Sequence, residues 1–410
     1  MKRLFSAALL LLAIMTSTQA ATFQAKRGIA MDIWVTWPNQ DQWSDPKVVL
    51  PFPEWRKTVG AAELQKLKDA GLDFIRIPID PAVFLAEEST ALRDQLFNEV
   101  NTSIDLAQSI GLKVIVDAHF IPKGPARTIG TDEVLADPAL FEAYLAFIRT
   151  LAGTIKDRDP SQVALEIFNE PTNDCDEAGT NNWPQMLKQS FAAARASAIN
   201  LTLILSGSCW GGAEGLVRLK ASDYSDDNLM WSFHSYDPFI ITHQGASWTG
   251  DVSPLVYGLP FPIHSAPKEQ LAATMDTIRQ RIRDQATVLR VNGITAFFEE
   301  EVAKIDTEDK LNAVMDKPFD AVSKWAAENN VDPSSIILGE FGIIRQEYQN
   351  PVITDPKARA AYYKSQIERA EKHGFSWSMW GYGGAFGIVE EFEGKPAEAD
   401  VLDMIKALPK

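Results

Sequence analysis

Eight short apolar stretches, separated by helical patterns, constrain this 410-residue chain more than any other feature. They are 27–34, 72–79, 112–120, 163–171, 201–208, 228–236, 335–342 and 375–382. Their near-continuous Ile, Val, Leu and Phe content is that of strands covered on both faces. Between them lie segments such as AAELQKLKDAG at 61–71, where Leu64, Leu67 and Ala70 share one helical face and Gly71 is a natural stop. Residues 139–155 and 357–373 show the same amphipathic spacing. Strand alternating with helix implies βαβ units and a parallel sheet. Eight strands are the number that closes an α/β barrel of the (β/α)8 kind.

One step breaks the rhythm. From His234 to Glu340 the chain advances 106 residues, where the other steps take about 40. This interval holds a Pro- and Gly-rich loop at 237–267 and a helix with Leu271, Met275, Ile278, Ile282 and Leu289 on one stripe. A further helix is expected to follow Pro318, with Asp316 as its cap. No linker, repeat or low-complexity tract divides the chain. Residues 21–410 therefore read as a single barrel domain with an elaborated segment between strands six and seven.

The first twenty residues, MKRLFSAALLLLAIMTSTQA, have the layout of a signal peptide cleaved after Ala20. The apolar run 4–15 is shorter than the roughly 20 residues a bilayer-spanning helix needs. A secreted or periplasmic location follows, with no membrane attachment after cleavage. Loss of Lys2 and Arg3 takes the formal net charge from −16 to −18. That balance repels nucleic acid and anionic membranes and favours neutral or cationic partners. Cys175 and Cys209 are the only cysteines. An oxidising compartment suits a disulfide, but without their Cα separation two buried free thiols remain equally open.

The segment VALEIFNEPTND at 163–174 runs from apolar strand into Asn169 and Glu170, where a charge is expensive to bury. Similar polar or aromatic groups close other strands: Arg76, His119, His234 with Tyr236, Glu340, and Trp380. In a parallel barrel these ends open on one face, where catalytic groups gather. Singly, each has a plainer use: Arg76 or His119 as a structural partner, Trp380 as core, Glu340 at a helix start. Jointly, two carboxylates in one pit point to chemistry. Asp117, His119 and His234 imitate metal ligands but lack the HxH-type spacing of a ligand pair, so neither metal nor cofactor is implied. Paired carboxylates suit glycosidic bond hydrolysis, with one protonated acid and one ionised partner. Asn169 could then hydrogen-bond a sugar 2-hydroxyl, and Trp380 could stack on a pyranose ring.

The motifs KRGIAMDIW, FIRIP, VIVDAHF, EIFNEP, FHSYDPF, LGEFG and SMWGY run along nearly the whole chain. With them the chain resembles glycoside hydrolase family 5, the large cellulase family of retaining β-glycanases on a (β/α)8 barrel. The resemblance implies that Glu170 is the acid/base and Glu340 the nucleophile. It implies substrate-binding roles for Arg76, His119, Asn169, His234, Tyr236 and Trp380. The segment YDPFIITHQGASW resembles a loop of some bacterial endoglucanases, which favours a β-1,4-linked polysaccharide or oligosaccharide as the partner. A β-mannan and a β-1,3-glucan are the alternatives, and a non-catalytic glycan-binding barrel is the rival of another class. The ending WGYGGAFGIVEEFEG departs from many relatives. Within the long loop, Trp248 reads either as an exposed platform for a distal sugar or as an anchor fastening the loop.

Overall fold

Eight parallel strands close on themselves in chain order. They are β1 (Arg27–Ala30), β2 (Phe74–Ile79), β3 (Lys113–Ala118), β4 (Val163–Glu166), β5 (Thr202–Ser206), β6 (Leu229–His234), β7 (Ile336–Glu340) and β8 (Ser376–Met379). Closure is made by β8 against β1, with Trp377 opposite Arg27 and Met379 opposite Ile29. This is the (β/α)8 barrel expected from the alternation. The structure, a computed structural model, describes residues 21–51, 54–175, 182–348, 350–390 and 395–409. The expected signal peptide at 1–20 lies outside the described residues.

The helices expected at 61–71, 139–155 and 357–373 are found at Ala61–Asp69, Pro138–Ile155 and Pro356–Lys372. Leu64 and Leu67 are buried, and Gly71 ends the first helix at φ +103°, a conformation that suits glycine. Among the described residues, no helix is long and apolar enough to cross a membrane.

The interior of the barrel is layered because inward-facing residues recur every second position. Phe74, Ile115, Ala164, Ile204, Met230 and Ile337 form an apolar floor, sealed from below by Ala21, Phe23 and Ala25. The Phe23 backbone N–H donates to Thr202 Oγ1 at 3.0 Å, which fixes this plug. Two residues further along the same strands come Arg76, Asp117 and Glu166, all buried. Arg76 is therefore the third residue of β2 and not its end, as the sequence suggested. It stands one layer below the rim, where the period of two turns it inward.

The long step after β6 contains the helices Lys268–Gln285, Val291–Ala303 and Glu308–Asn329. Their Ile278, Ile282, Ile294 and Phe298 join the main core, so the excursion is built onto the barrel. Two expectations here are corrected. Leu289 does not continue the stripe, because the helix stops at Gln285 and the following turn leaves Leu289 almost wholly exposed. The last helix does not begin at Pro318. Thr307 caps it by accepting from the Lys310 N–H at 3.3 Å, and Pro318 lies buried within it. Asp316 instead accepts from Arg369 Nε at 2.6 Å. The packing of this helix outweighs the backbone hydrogen bond that an interior proline forfeits.

Candidate active site

The strands end earlier than their apolar runs, and the chemistry sits on the loops just beyond them. β4 stops at Glu166, so Asn169 and Glu170 belong to the loop after it. Glu170 has φ +43°, sparsely allowed for a side chain of its size. Asp174, Cys209 and Trp210 also have positive φ, on the loops after β4 and β5. Among the described residues only Asn330, at a helix end, shares this feature outside glycine. Left-handed non-glycine residues are held at a cost by their surroundings and cluster at functional sites. Here they cluster around Glu170.

Several bonds hold these two loops together. The Trp210 N–H donates to Pro171 O at 2.9 Å, and the Cys209 N–H donates to Asn173 O at 3.1 Å. Cys175 and Cys209 form a disulfide, with Cα atoms 4.6 Å apart, which settles the choice left open by spacing. The turn ends in Gly211, where an added Cβ would stand 3.3 Å from His234 Nδ1 and 3.6 Å from Glu170 Cγ. The tied loops thus back directly onto the pair His234 and Glu170. Trp210, which sequence reading missed, stands on this turn with more than half of its surface exposed. An aromatic beside glycine in GSCWGG was the available signal.

Glu340 ends β7 beside a register shift. Phe233 pairs with Leu338 and His234 with Glu340, leaving Gly339 as the extra residue. A Cβ at Gly339 would come within 2.3 Å of Ser232 Oγ and 3.0 Å of His234 Nε2, so a side chain there would have to displace both. Bulges re-aim side chains next to active sites, and this one directs Glu340 at Glu170. The carboxylates flank one imidazole nitrogen: His234 Nδ1 is 2.7 Å from Glu170 Oε1 and 3.7 Å from Glu340 Oε2. Ligand atoms of Glu170, His234 and Glu340 lie within 4.8 Å of one another. Such a set could also hold a divalent cation.

Beneath them, one guanidinium serves three carboxylates. Arg76 donates from Nη1 to Glu340 Oε1 at 2.6 Å and from Nε to Glu166 Oε2 at 2.7 Å. Its Nη2 lies 2.9 Å from Asp117 Oδ2 and donates to Asn169 Oδ1 at 2.7 Å. The Tyr236 hydroxyl donates to Glu340 Oε2 at 3.0 Å. His119 stacks on Trp380, with ring centroids 5.2 Å apart and planes 13° apart. Sequence reading anticipated this constellation except for Glu166, and for Asp117 as anything but an imitation ligand. Counting two residues up from the apolar floor would have found both.

The two glutamates share burial but differ in their donors. Burial lifts Glu170 to about 7, with His119 and Arg76 pulling it back and Glu166 adding to the rise. Burial also raises Glu340, but His234 and Arg76 oppose the shift. Two donors, Arg76 and Tyr236, stabilise ionised Glu340, whereas among the described residues the side-chain partner of Glu170 is His234. These donors favour the ionised form at Glu340 over Glu170, although the titration steps belong to the pair. Burial lowers His119 and His234 to about 4, so both rings are neutral near pH 7. Burial alone would lower Arg76, but Asp117, Glu166 and Glu340 hold it well above its ordinary value.

Trp248 lies in the loop after β6 and is 54% exposed. Two residues before it, Ala246 packs with Ile344 and Phe386 against Tyr236 and Trp380. Ser247 donates to Glu347 Oε1 at 2.8 Å. The loop is fastened by these neighbours, on the same face as the carboxylates.

A family model described as Cellulase (glycosyl hydrolase family 5) matches residues 39–385. Endoglucanase 3 of Fibrobacter succinogenes is 22% identical over 343 residues, which cover 81% of this chain but 47% of that protein. Endoglucanase C of Acetivibrio thermocellus is 18% identical over 348 residues, covering 84% of this chain and 89% of the relative. The structure of Thermotoga maritima Cel5A with cellobiose superposes with a TM-score of 0.62 at 21% identity, covering 93% of this chain and 97% of that one. The structural likeness concerns the fold, while the sequence model spans most of the chain. The chain belongs to the cellulase family, glycosyl hydrolase family 5.

Proposed function

We propose that this protein hydrolyses β-1,4-linked glucan by a retaining double displacement, with Glu170 as acid/base and Glu340 as nucleophile. The observation that carries the proposal is the close approach of the two carboxylates beside His234, with one oxygen of each within 4.8 Å of the other. Retaining glycosidases hold their carboxyls about 5–5.5 Å apart, whereas inverting enzymes leave roughly 6.5–9.5 Å for a water. The preference of the donors for ionised Glu340 gives each group its role.

In the first step ionised Glu340 forms an ester bond to the anomeric carbon as the glycosidic C–O bond breaks. The leaving oxygen takes its proton from Glu170. In the second step Glu170 removes a proton from water, the water oxygen bonds to the anomeric carbon, and the ester to Glu340 breaks. Each displacement inverts the carbon, so the product keeps the β configuration. Arg76 and Tyr236 hold Glu340 ionised and aimed. Asn169 contacts the sugar 2-hydroxyl, and Trp380, backed by His119, offers a flat apolar face to the ring. Export through a cleaved signal peptide, to the periplasm or beyond, completes the proposal.

The named relatives are endoglucanases, which favours β-1,4-glucan. T. maritima Cel5A has been solved with both cellobiose and mannotriose, so β-mannan is the first alternative on a substrate panel, followed by β-1,3-glucan. A cation on Glu170, His234 and Glu340 is the competing use of the same atoms, and the proposal expects a chelator to leave activity unchanged. The roles are tested by substitution. Glu340→Ala should abolish turnover of every substrate, because no ester can form. Glu170→Ala should spare the first step for aryl glycosides whose leaving groups need no proton. Equal losses in both variants on activated and unactivated substrates would refute the assignment. A protein that binds glycans but never turns them over would be the non-catalytic barrel.

A further inference from the structure

Asp117 stands on β3, two residues before His119, and is wholly buried. Its Oδ2 lies 2.8 Å from His119 Nδ1 and 2.9 Å from Arg76 Nη2. Arg76 Nη2 in turn donates to Asn169 Oδ1 at 2.7 Å, and Asn169 Nδ2 lies 3.3 Å from His119 Nε2. Four side chains therefore close a ring.

Every proton in this ring can be placed from its neighbours. A guanidinium only donates, so the oxygen of Asn169 must face Arg76 and its NH2 must face His119. An NH2 donates, so His119 Nε2 must carry no proton. The ring nitrogen on the other side, Nδ1, faces two carboxylates: Asp117 Oδ2 at 2.8 Å and Glu340 Oε1 at 3.8 Å. Asp117 Oδ2 also faces Arg76 Nη2, which only donates, so Oδ2 accepts even with a proton on the other oxygen of this raised carboxyl, and Nδ1 must carry the proton. The two deductions start from opposite ends of the imidazole and agree. Burial keeps His119 neutral near pH 7, which leaves one proton to place.

We propose that Asp117 is a positioning residue that fixes the donor–acceptor polarity of the sugar-binding groups through His119. It holds the His119 proton on Nδ1, which leaves Nε2 as an acceptor. That acceptor holds one Asn169 N–H while Arg76 holds the amide oxygen, so the amide is fixed from both ends. The second Asn169 N–H is then a committed donor for the 2-hydroxyl oxygen of the reacting sugar. Such contacts strengthen in the transition state, so an amide held only at its oxygen would weaken the chemical step more than ground-state binding. The inference rests on the glycosidase reading of the site.

Imidazole nitrogen NMR of the whole protein, labelled at its five histidines, reads the polarity directly. The signals of His119 are assigned by their disappearance in His119→Gln. The proposal expects a neutral ring protonated at Nδ1 in the wild type; a proton on Nε2 would overturn it. Kinetics supplies the second readout. Asp117→Leu should lower kcat/KM on an aryl β-cellobioside by about 10- to 100-fold, the scale on which partners of an oriented imidazole act. On the substrate lacking the 2-hydroxyl of the reacting sugar, most of that loss should vanish. Asp117→Asn keeps an oxygen in the place of Oδ2 and should recover most of the activity. Equal losses on both substrates, or no recovery with Asn, would contradict the proposal. Should the Leu variant not fold, the wild-type spectrum and the Asn variant still decide. A Nδ1 proton in a protein inert toward all β-glycans would refute the functional reading instead, whereas a Nε2 proton in an active enzyme would refute only the ring.

Discussion

Replacing Glu170 by Gln should stabilise the fold increasingly as the pH rises. Burial raises the Glu170 carboxyl from 4.5 to about 7. The native protein therefore keeps a proton across that interval that the unfolded chain releases. The contribution of Glu170 to stability is fully present below about 4.5 and is lost as the pH rises through about 7. A gap from 4.5 to about 7 corresponds to at most about 3 kcal/mol. Because 28% of the side chain is exposed, solvent screens part of this, and about 1–3 kcal/mol is the working range. Glutamine carries no such dependence, and it also relieves ionised Glu340 of a like charge. Urea unfolding of wild type and Glu170→Gln at several pH values between 4.5 and 8 measures the difference. It should move in favour of the variant by that amount. A difference that stays flat, or moves the other way, would refute the raised carboxyl. The same group governs the rate, since it must be protonated to act as the acid. Wild-type activity should fall as the pH passes about 7. Residual turnover of an activated aryl glycoside by Glu170→Gln should lack that limb.

The disulfide and the exposed aromatics give two further expectations. Cys175 and Cys209 are 34 residues apart in sequence, so Cys175→Ser with Cys209→Ser should cost about 3–4 kcal/mol of stability by loop entropy. It should also lower kcat through the loosened pair Glu170 and His234. Unchanged kcat in the folded double variant would mean that the tie serves stability alone. Trp248→Ala should weaken hydrolysis of long oligosaccharides by about 1–2 kcal/mol, or roughly five- to thirty-fold, and leave a short aryl glycoside unaffected. Loss on both substrates together with a lower melting temperature would make Trp248 an anchor. Trp210→Ala, beside Glu170, is the comparison, and its loss should persist on shorter substrates.

The barrel was legible because its strands are covered on both faces and read as uninterrupted apolar runs. The same property hid where they end. Ile167 and Phe168 are buried beyond the last ladder residue of β4, so composition carried the expected strand past Glu166. Glu170, Glu340, His119, His234 and Tyr236 were recognisable because each interrupts such a run with a group that is costly to bury. Arg76 was recognised but misplaced, since its layer depends on strand register. Glu166 was passed over within VALEIFNEP because the more conspicuous Asn169 and Glu170 come after it. The excursion after β6 was harder. Its helix at Glu308–Asn329 carries a proline that local propensity takes as a beginning, whereas tertiary packing tolerates it inside. Cys175 and Cys209 could not be paired from spacing, because their approach depends on two loops meeting beside Glu170.

The retaining assignment of Glu170 and Glu340 is tested most directly by the configuration of the first product. Proton NMR, recorded while a soluble β-1,4-glucan oligosaccharide is being cleaved, resolves the new anomeric end before it equilibrates. Two displacements at one carbon, with Glu340 as the intermediate partner, require the β-anomer to appear first and the α-anomer to grow in only by mutarotation. An α-anomer as the initial product would show a single displacement by water and contradict the assignment.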